Sequence, residues 1–171
     1  MANHLMKIEQ ADITKFACDV IVNAANTRLL GGGGVDGAIH KAAGRELLEA
    51  CRLIGGCPTG EARITPAFRL PAKYVIHTVG PIWRDGNQNE EKLLASCYHE
   101  SLKLAVEYNC QTIAFPNIST GIYGFPKELA AAIAIKTVSG FLETSPLPLT
   151  VTFICFDAEN LGIYQHIYSE G

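Results

Sequence analysis

The sequence predicts an α/β fold. Short apolar or β-branched runs alternate with longer helical patterns, and three of the runs are apolar at consecutive positions, as strands covered on both faces are. Strands are expected at Met6–Gln10, Val20–Asn23, Glu61–Thr65, Tyr74–Val79, Thr112–Phe115 and Leu149–Phe156, the second, fifth and sixth being the continuously apolar ones. Helices to cover the sheet are expected at Val35–Ala43, Glu46–Arg52, Glu90–Glu107, Pro126–Phe141 and Asn160–Tyr168. In the third, Leu93, Leu94, Cys97, Leu102 and Ala105 mark an inward stripe. Pro126 suits a first helical position and Gly44 a helix stop. The joints Gly55–Gly60, Pro81–Gly86 and Ser145–Pro148 read as loops, because strand–helix alternation resumes after each.

The 171 residues fit one domain over 1–171, long enough to bury a full core, and 48% apolar with 18% charged residues is an ordinary globular composition. Fourteen basic against seventeen acidic residues give a formal charge of −3, which argues against a broad nucleic-acid-binding surface. The N-terminal residues hold no apolar stretch of signal-peptide length, and the longest apolar run, Leu129 to Ile135, cannot span a bilayer; a cytoplasmic location without membrane contact is expected. Six cysteines without a Cys-x-x-Cys pair read as reduced and structural, and no His/Cys cluster has zinc-ligand spacing.

The most informative stretch runs from Asn23 to Gly37. It follows an apolar strand, contains four consecutive glycines at Gly31–Gly34, opens a helix, and carries one carboxylate, Asp36. Glycines let backbone N–H groups press against an anion, and the helix adds its positive end. A second loop, Ser119 to Phe125, leaves the fifth strand and enters the fourth helix in the same way. In open α/β sheets such loops flank a crevice outside the carboxyl ends of the strands, so these two, with Ala11-Asp12-Ile13 after the first strand, should converge on an elongated, phosphorylated ligand. Gly32, Gly34 and Gly37 also satisfy Gly-x-Gly-x-x-Gly. Ala24 to Gly31 separate them from the strand, however, and no acid follows about 20 residues later, so a dinucleotide-dependent oxidoreductase is rejected.

Taken in order, Ala11–Thr14, Val20–Asn26, Gly31–His40, His77–Pro81 and Ser119–Pro126 resemble the macrodomains of the branch that includes O-acetyl-ADP-ribose deacetylases and mono-ADP-ribosyl hydrolases. The resemblance implies a three-layer α/β/α sandwich around a mixed, mostly parallel six-stranded sheet. It implies ADP-ribose and O-acyl-ADP-ribose as ligands and mono-ADP-ribosylated proteins among the partners; no cofactor is expected, and without a cluster of zinc-ligand spacing the metal-dependent variants of this chemistry are not indicated.

By the same resemblance Asp12 accepts from the adenine amine while Ile13 lines the base. In the family a glycine usually precedes this acid; here it is Ala11. An Asp that only ends a strand in a turn is the alternative. Asn26 is assigned to the distal ribose, and Asn23 either to a sugar hydroxyl or to locking its own loop. Gly33, Gly34, Val35 and Gly37 would cradle the diphosphate, with Ser119, Thr120, Gly121, Ile122 and Tyr123 closing over it. Phe125 would pack near the terminal ribose or staple the following helix to the core, and Phe156 would stack near adenine or join the core. Asp36 with Asn26 would orient and deprotonate the water that attacks an ester on the ribose, although an acid in a first helical turn needs no more than the helix dipole to explain it. His77 reads as a hydrogen-bonded core histidine, and His40 as close to the loop without a visible partner. A non-catalytic ADP-ribose reader is the runner-up function, and an RNA-binding or regulatory role comes third.

Overall fold

Successive side chains of a strand point to opposite faces, and the run around Val20 uses both. Val20 and Val22 join one hydrophobic cluster with Leu94, Leu102 and Phe153, whereas Ile21 joins another with Ile39, Leu47 and Val75. The chain therefore needs helices on both sides of its sheet. The computed structural model describes residues 5–170. In chain order its elements are β1 (Met6–Gln10), β2 (Val20–Ala24), α1 (Gly34–Ala43), α2 (Arg45–Ile54), β3 (Ala62–Pro66), β4 (Tyr74–Thr78), α3 (Glu90–Glu107), β5 (Thr112–Phe115), α4 (Lys127–Thr144), β6 (Thr150–Cys155) and α5 (Ala158–Glu170).

Among the described residues the sheet runs β1-β6-β5-β2-β4-β3, parallel throughout except for the antiparallel edge pair β3 and β4. Val20 lies opposite Tyr74 on one side and Ile113 on the other, which puts β2 at the centre. The α1–α2 pair packs on the face of Ile21 and Val75, while α3, α4 and α5 pack on the face of Val20 and Phe153. This is the three-layer α/β/α sandwich around a mixed sheet that the resemblance implies. Strands β2 and β5 are neighbours whose following helices go to opposite faces. Their connecting loops part there, and a crevice opens at the carboxyl ends of the strands.

The expected elements form within a few residues of their sequence-derived bounds, and the departures have local causes. Asp157 accepts from the backbone N–H of Asn160 at 2.8 Å, which starts α5 earlier than expected. Pro126 caps α4 rather than opening it. A 3₁₀ turn, Ile13–Lys15, follows β1 because the Asp12 side chain accepts from the Thr14 N–H. In the α3 stripe Leu93 is only half-buried, and Tyr98 and Ser101 complete the buried face. Gly44, at φ +93°, both ends α1 and heads α2, a backbone that side-chain-bearing residues rarely adopt.

The six cysteines are free thiols, and all but Cys18 are buried. Burial pushes Cys18 up to about 12 and Cys51, Cys97 and Cys110 up to about 11, so none is a ready thiolate. Among the described residues no helix is long and apolar enough to cross a membrane.

Candidate functional site

The crevice is a cleft of about 660 Å³. One wall is the glycine loop leading into α1. Gly33 caps the helix without a side-chain bond, so the N–H groups of the first turn, at Gly34, Val35 and Asp36, have no side-chain partner from the cap. Gly32, Gly33, Gly34 and Val35 line the cleft. Gly37 does not: its N–H is already committed to the Gly33 carbonyl at 3.2 Å, and a Cβ there would come within 2.5 Å of the Gly32 oxygen. Gly37, expected to help cradle the diphosphate, instead serves close packing of the loop on the helix.

The opposite wall is the loop after β5, where Ser119, Thr120, Gly121, Ile122 and Tyr123 all face the cleft. Ser119 holds φ at +68°, and its buried hydroxyl has no hydrogen-bond partner. A non-glycine residue in that region is held by its surroundings, and here the surroundings are specific. The Ser119 carbonyl accepts from Phe125 N–H at 2.9 Å, and a Cβ on Gly80 would lie 2.1 Å from Ser119 Oγ and 2.6 Å from Ile118 Cγ2. Gly80, at the exit of β4, is therefore the residue that lets the two segments touch. Sequence reasoning placed it inside a motif without a role.

Phe125, expected near the ribose or as a staple, is 1% exposed and packs edge-on against Trp83 at 4.8 Å. It lies outside the cleft lining, because the chain turns inward after Gly124 to start α4. Trp83 N–H also donates to the Tyr123 carbonyl at 2.8 Å, so the segment after β4 braces the second loop from behind. That segment is itself held by the buried Glu90, whose carboxylate accepts from the N–H groups of Arg84, Asp85, Gly86 and Gln88.

Asp12 and Ile13 line the far end of the cleft. Ile13 is buried, while Asp12 is exposed and bonded to the Thr14 N–H at 2.9 Å and hydroxyl at 2.7 Å; these bonds hold its carboxyl below the usual range. Ala11 in place of the family's usual glycine leaves Asp12 in ordinary extended backbone at φ −95°. Phe156 stands beside this end with 85% of its surface exposed, so it is no part of the core. Asn117, Asp157, Asn160 and Lys127 complete the rim. Lys127 is the one cation among the described lining residues, and it is paired with Glu159.

The third group surrounds Asp36, which is 5% exposed in the first turn of α1. Its Oδ1 accepts from Asn23 Nδ2 at 2.8 Å and lies 3.4 Å from His40 Nε2, one helical turn on. Its Oδ2 comes within 3.1 Å of where a Gly32 Cβ would be, and Asn26 Nδ2 within 3.3 Å of the same point. A carboxylate only accepts, which fixes the Asn23 amide with nitrogen toward Asp36. The second N–H of that nitrogen meets His77 Nδ1 at 3.1 Å, so Nδ1 accepts and the His77 proton sits on Nε2, 3.0 Å from Thr65 Oγ1. Burial pulls His77 down to about 4, in keeping with a neutral ring.

Asn23 itself is fully buried and outside the cleft lining, so the structure keeps it from a sugar hydroxyl and sets it behind Asp36. Asn26 faces the cleft and also locks its loop, donating to the Gly31 carbonyl at 3.1 Å and accepting from the N–H groups of Arg28 and Leu29. His40, without a visible partner in the sequence, has one in Asp36; the i to i+4 spacing on a helix was the available signal.

The family model described as "Macro domain" matches residues 22–134. A macro domain-containing protein of Chlorobaculum tepidum is 61% identical over 169 residues, 99% of this chain and 98% of that one. The chain belongs to the macrodomain family. This macrodomain is also similar to the O-acetyl-ADP-ribose deacetylase of Escherichia coli K12, at 54% identity over 167 residues covering 95% of this chain and 94% of that protein. Among solved structures, a glycine-to-valine variant of the Oceanobacillus iheyensis macrodomain with ADPR superimposes with a TM-score of 0.92 at 46% identity, covering 96% and 92% of the two chains. A Trypanosoma brucei macrodomain in complex with ADP-ribose gives a TM-score of 0.88 at 42% identity, covering 94% of this chain and 68% of that one.

Proposed function

We propose that this macrodomain binds ADP-ribose in the cleft and hydrolyses its ribose esters, both O-acetyl-ADP-ribose and the esters that join mono-ADP-ribose to acidic side chains. The observation that carries the reading is the state of Asp36: a nearly buried carboxylate with one oxygen held by Asn23 and His40 and the other turned toward Asn26 and the anion-facing glycines. With Lys127 engaged by Glu159, main-chain N–H groups of α1 and of the second loop are left to meet the diphosphate. Asp12 and Phe156 at the far end would take the adenine, which puts the distal ribose beside Asn26 and Asp36. There Asp36 Oδ2 would accept a proton from a water as the water oxygen bonds to the acyl carbon; the ester C–O bond then breaks and Asp36 returns that proton to the departing ribose oxygen, leaving a carboxylic acid, the ribose hydroxyl and Asp36 ionised again.

Two comparisons support this. A close relative bears the deacetylase name. The Oceanobacillus iheyensis macrodomain has been altered at an Asn, a Gly and an Asp whose spacing equals that of Asn26, Gly33 and Asp36 here.

Asp36→Ala should slow ester hydrolysis roughly 10²–10⁴-fold, the range for a lost general base, with calorimetric ADP-ribose binding retained. Unchanged turnover would remove Asp36 from the chemistry. Binding without any product from either ester by the parent protein would make it a reader instead.

A further inference from the structure

The glycine loop has a second side. Behind it, between α1 and α2, lies a shallow groove of about 460 Å³ whose lining includes Leu30, His40, Lys41, Arg45 and Leu48. Gly32 borders both this groove and the ligand cleft, and His40 on the groove side lies 3.4 Å from Asp36 on the cleft side, so the two spaces adjoin beside the candidate catalytic acid. The groove begins where the distal ribose would end.

Its charge runs against that of the molecule. The chain as a whole carries −3, yet the groove is lined by Lys41 and Arg45, both exposed and without an ion pair to a described residue, and the carboxylate that reaches its edge is Glu46, 3.0 Å from where a Gly44 Cβ would be. Leu30 adds an apolar patch that is 42% exposed. A two-carbon acyl group would stop inside the cleft and use none of this. A polypeptide joined to the ribose through an acidic side chain that leaves past Gly32 would enter this groove, with two cations along it.

We propose that this groove binds the polypeptide segment carrying the ADP-ribose ester, and that Lys41 and Arg45 select segments with further acidic residues beside the modified one. The proposal rests on the hydrolase reading for the position of the ester, and it makes protein esters, rather than the acetyl ester alone, substrates the surface is built for.

The experiment compares the parent with the Lys41→Glu/Arg45→Glu variant on three esters: O-acetyl-ADP-ribose, a glutamate-linked ADP-ribosyl peptide with acidic flanks, and the same peptide with neutral flanks. Rim cations act weakly and through salt-sensitive encounter, so two reversals should lower kcat/KM for the acidic-flanked peptide about tenfold. The acetyl ester and the neutral-flanked peptide should change less than about twofold, and added salt should erase the parent's preference between the peptides. An equal loss on all three esters, or no loss on the acidic one, overturns the proposal. The same dependence with oligomeric ADP-ribose but not with the acidic peptide would overturn it in favour of a polyanionic nucleotide. If the parent hydrolyses no ester, the hydrolase reading fails by itself. Calorimetric affinities of the two peptides for the parent and the variant then still decide the groove, since only the acidic-flanked one should weaken.

Discussion

Replacing Gly80, which lines the cleft beside the second loop, by alanine should displace that loop. The added methyl would meet Ser119 Oγ at 2.1 Å and Ile118 Cγ2 at 2.6 Å, both far inside ordinary contact. Turning the Ser119 hydroxyl away relieves the first clash only, because Ile118 is buried in the core and its own Cβ-bearing neighbour, Ser119, still lies 3.3 Å from the new methyl. Overpacking of this kind costs about 1–3 kcal/mol, and the strain divides between the fold and the second loop. If the loop at Ser119–Tyr123 yields, ADP-ribose affinity falls by roughly 5- to 150-fold, at about 1.4 kcal/mol per tenfold. If it holds, the same strain appears as a lower Tm. Calorimetric titration with ADP-ribose and thermal unfolding of the variant read the two shares. Parent-like values in both would refute the argument that the two segments are in forced contact and that this contact shapes the cleft.

Two further outcomes follow from buried ionisable groups. Burial alone would raise the Glu90 carboxyl, but the N–H groups of Arg84, Gln88 and Gly86 outweigh it and hold the group at about 2. Its unfolded value is near 4.3, so its contribution to stability is complete above that and is lost as the pH falls toward 2; melting curves of Glu90→Gln should lack this part of the acid-side decline, and an unaltered decline would count against it. His77, at about 4 in the folded chain through burial, with His40 adding to the depression and Asp36 opposing it, takes up its proton at about 6.5 when unfolded. Stability should therefore be full above 6.5 and weaken by roughly 3 kcal/mol between there and 4, and denaturant titrations of His77→Gln across that window should show a flatter profile. Equal slopes in the two proteins would refute a neutral buried ring.

What the sequence made legible was governed by periodicity and punctuation. The apolar run at Val20, the stripe through Leu94 and Leu102, and the stop at Gly44 each depend on neighbours within a few residues, and each forms as the pattern indicates. What escaped depends on residues distant in sequence. Position along the chain left Asn23 divided between a sugar hydroxyl and its own loop. Strand parity sends it to the face of Ile21, under α1, where Asp36 and His77 take up its amide. Phe125 was divided between ribose and core, and Trp83, more than forty residues earlier, decides for the core. Gly80 gave no local signal at all, since its need for a missing side chain exists only once β4 and the loop after β5 are adjacent. His40 was legible in principle, because four residues on a helix already bring it to Asp36.

The uncapped first turn of α1 has a consequence for how this molecule can be damaged. Amide dipoles belong to the main chain, so truncating the side chains around them to alanine leaves them in place, and among side-chain changes only an added Cβ, as at Gly37, would shift them. None of them titrates, so their hold on an anion does not vary with acidity. Their direction, however, follows from the length of chain between β2 and α1. One residue gained or lost between Thr27 and Gly33 would rotate the turn and aim the same dipoles elsewhere, and such a length change is the kind of lesion this design cannot absorb.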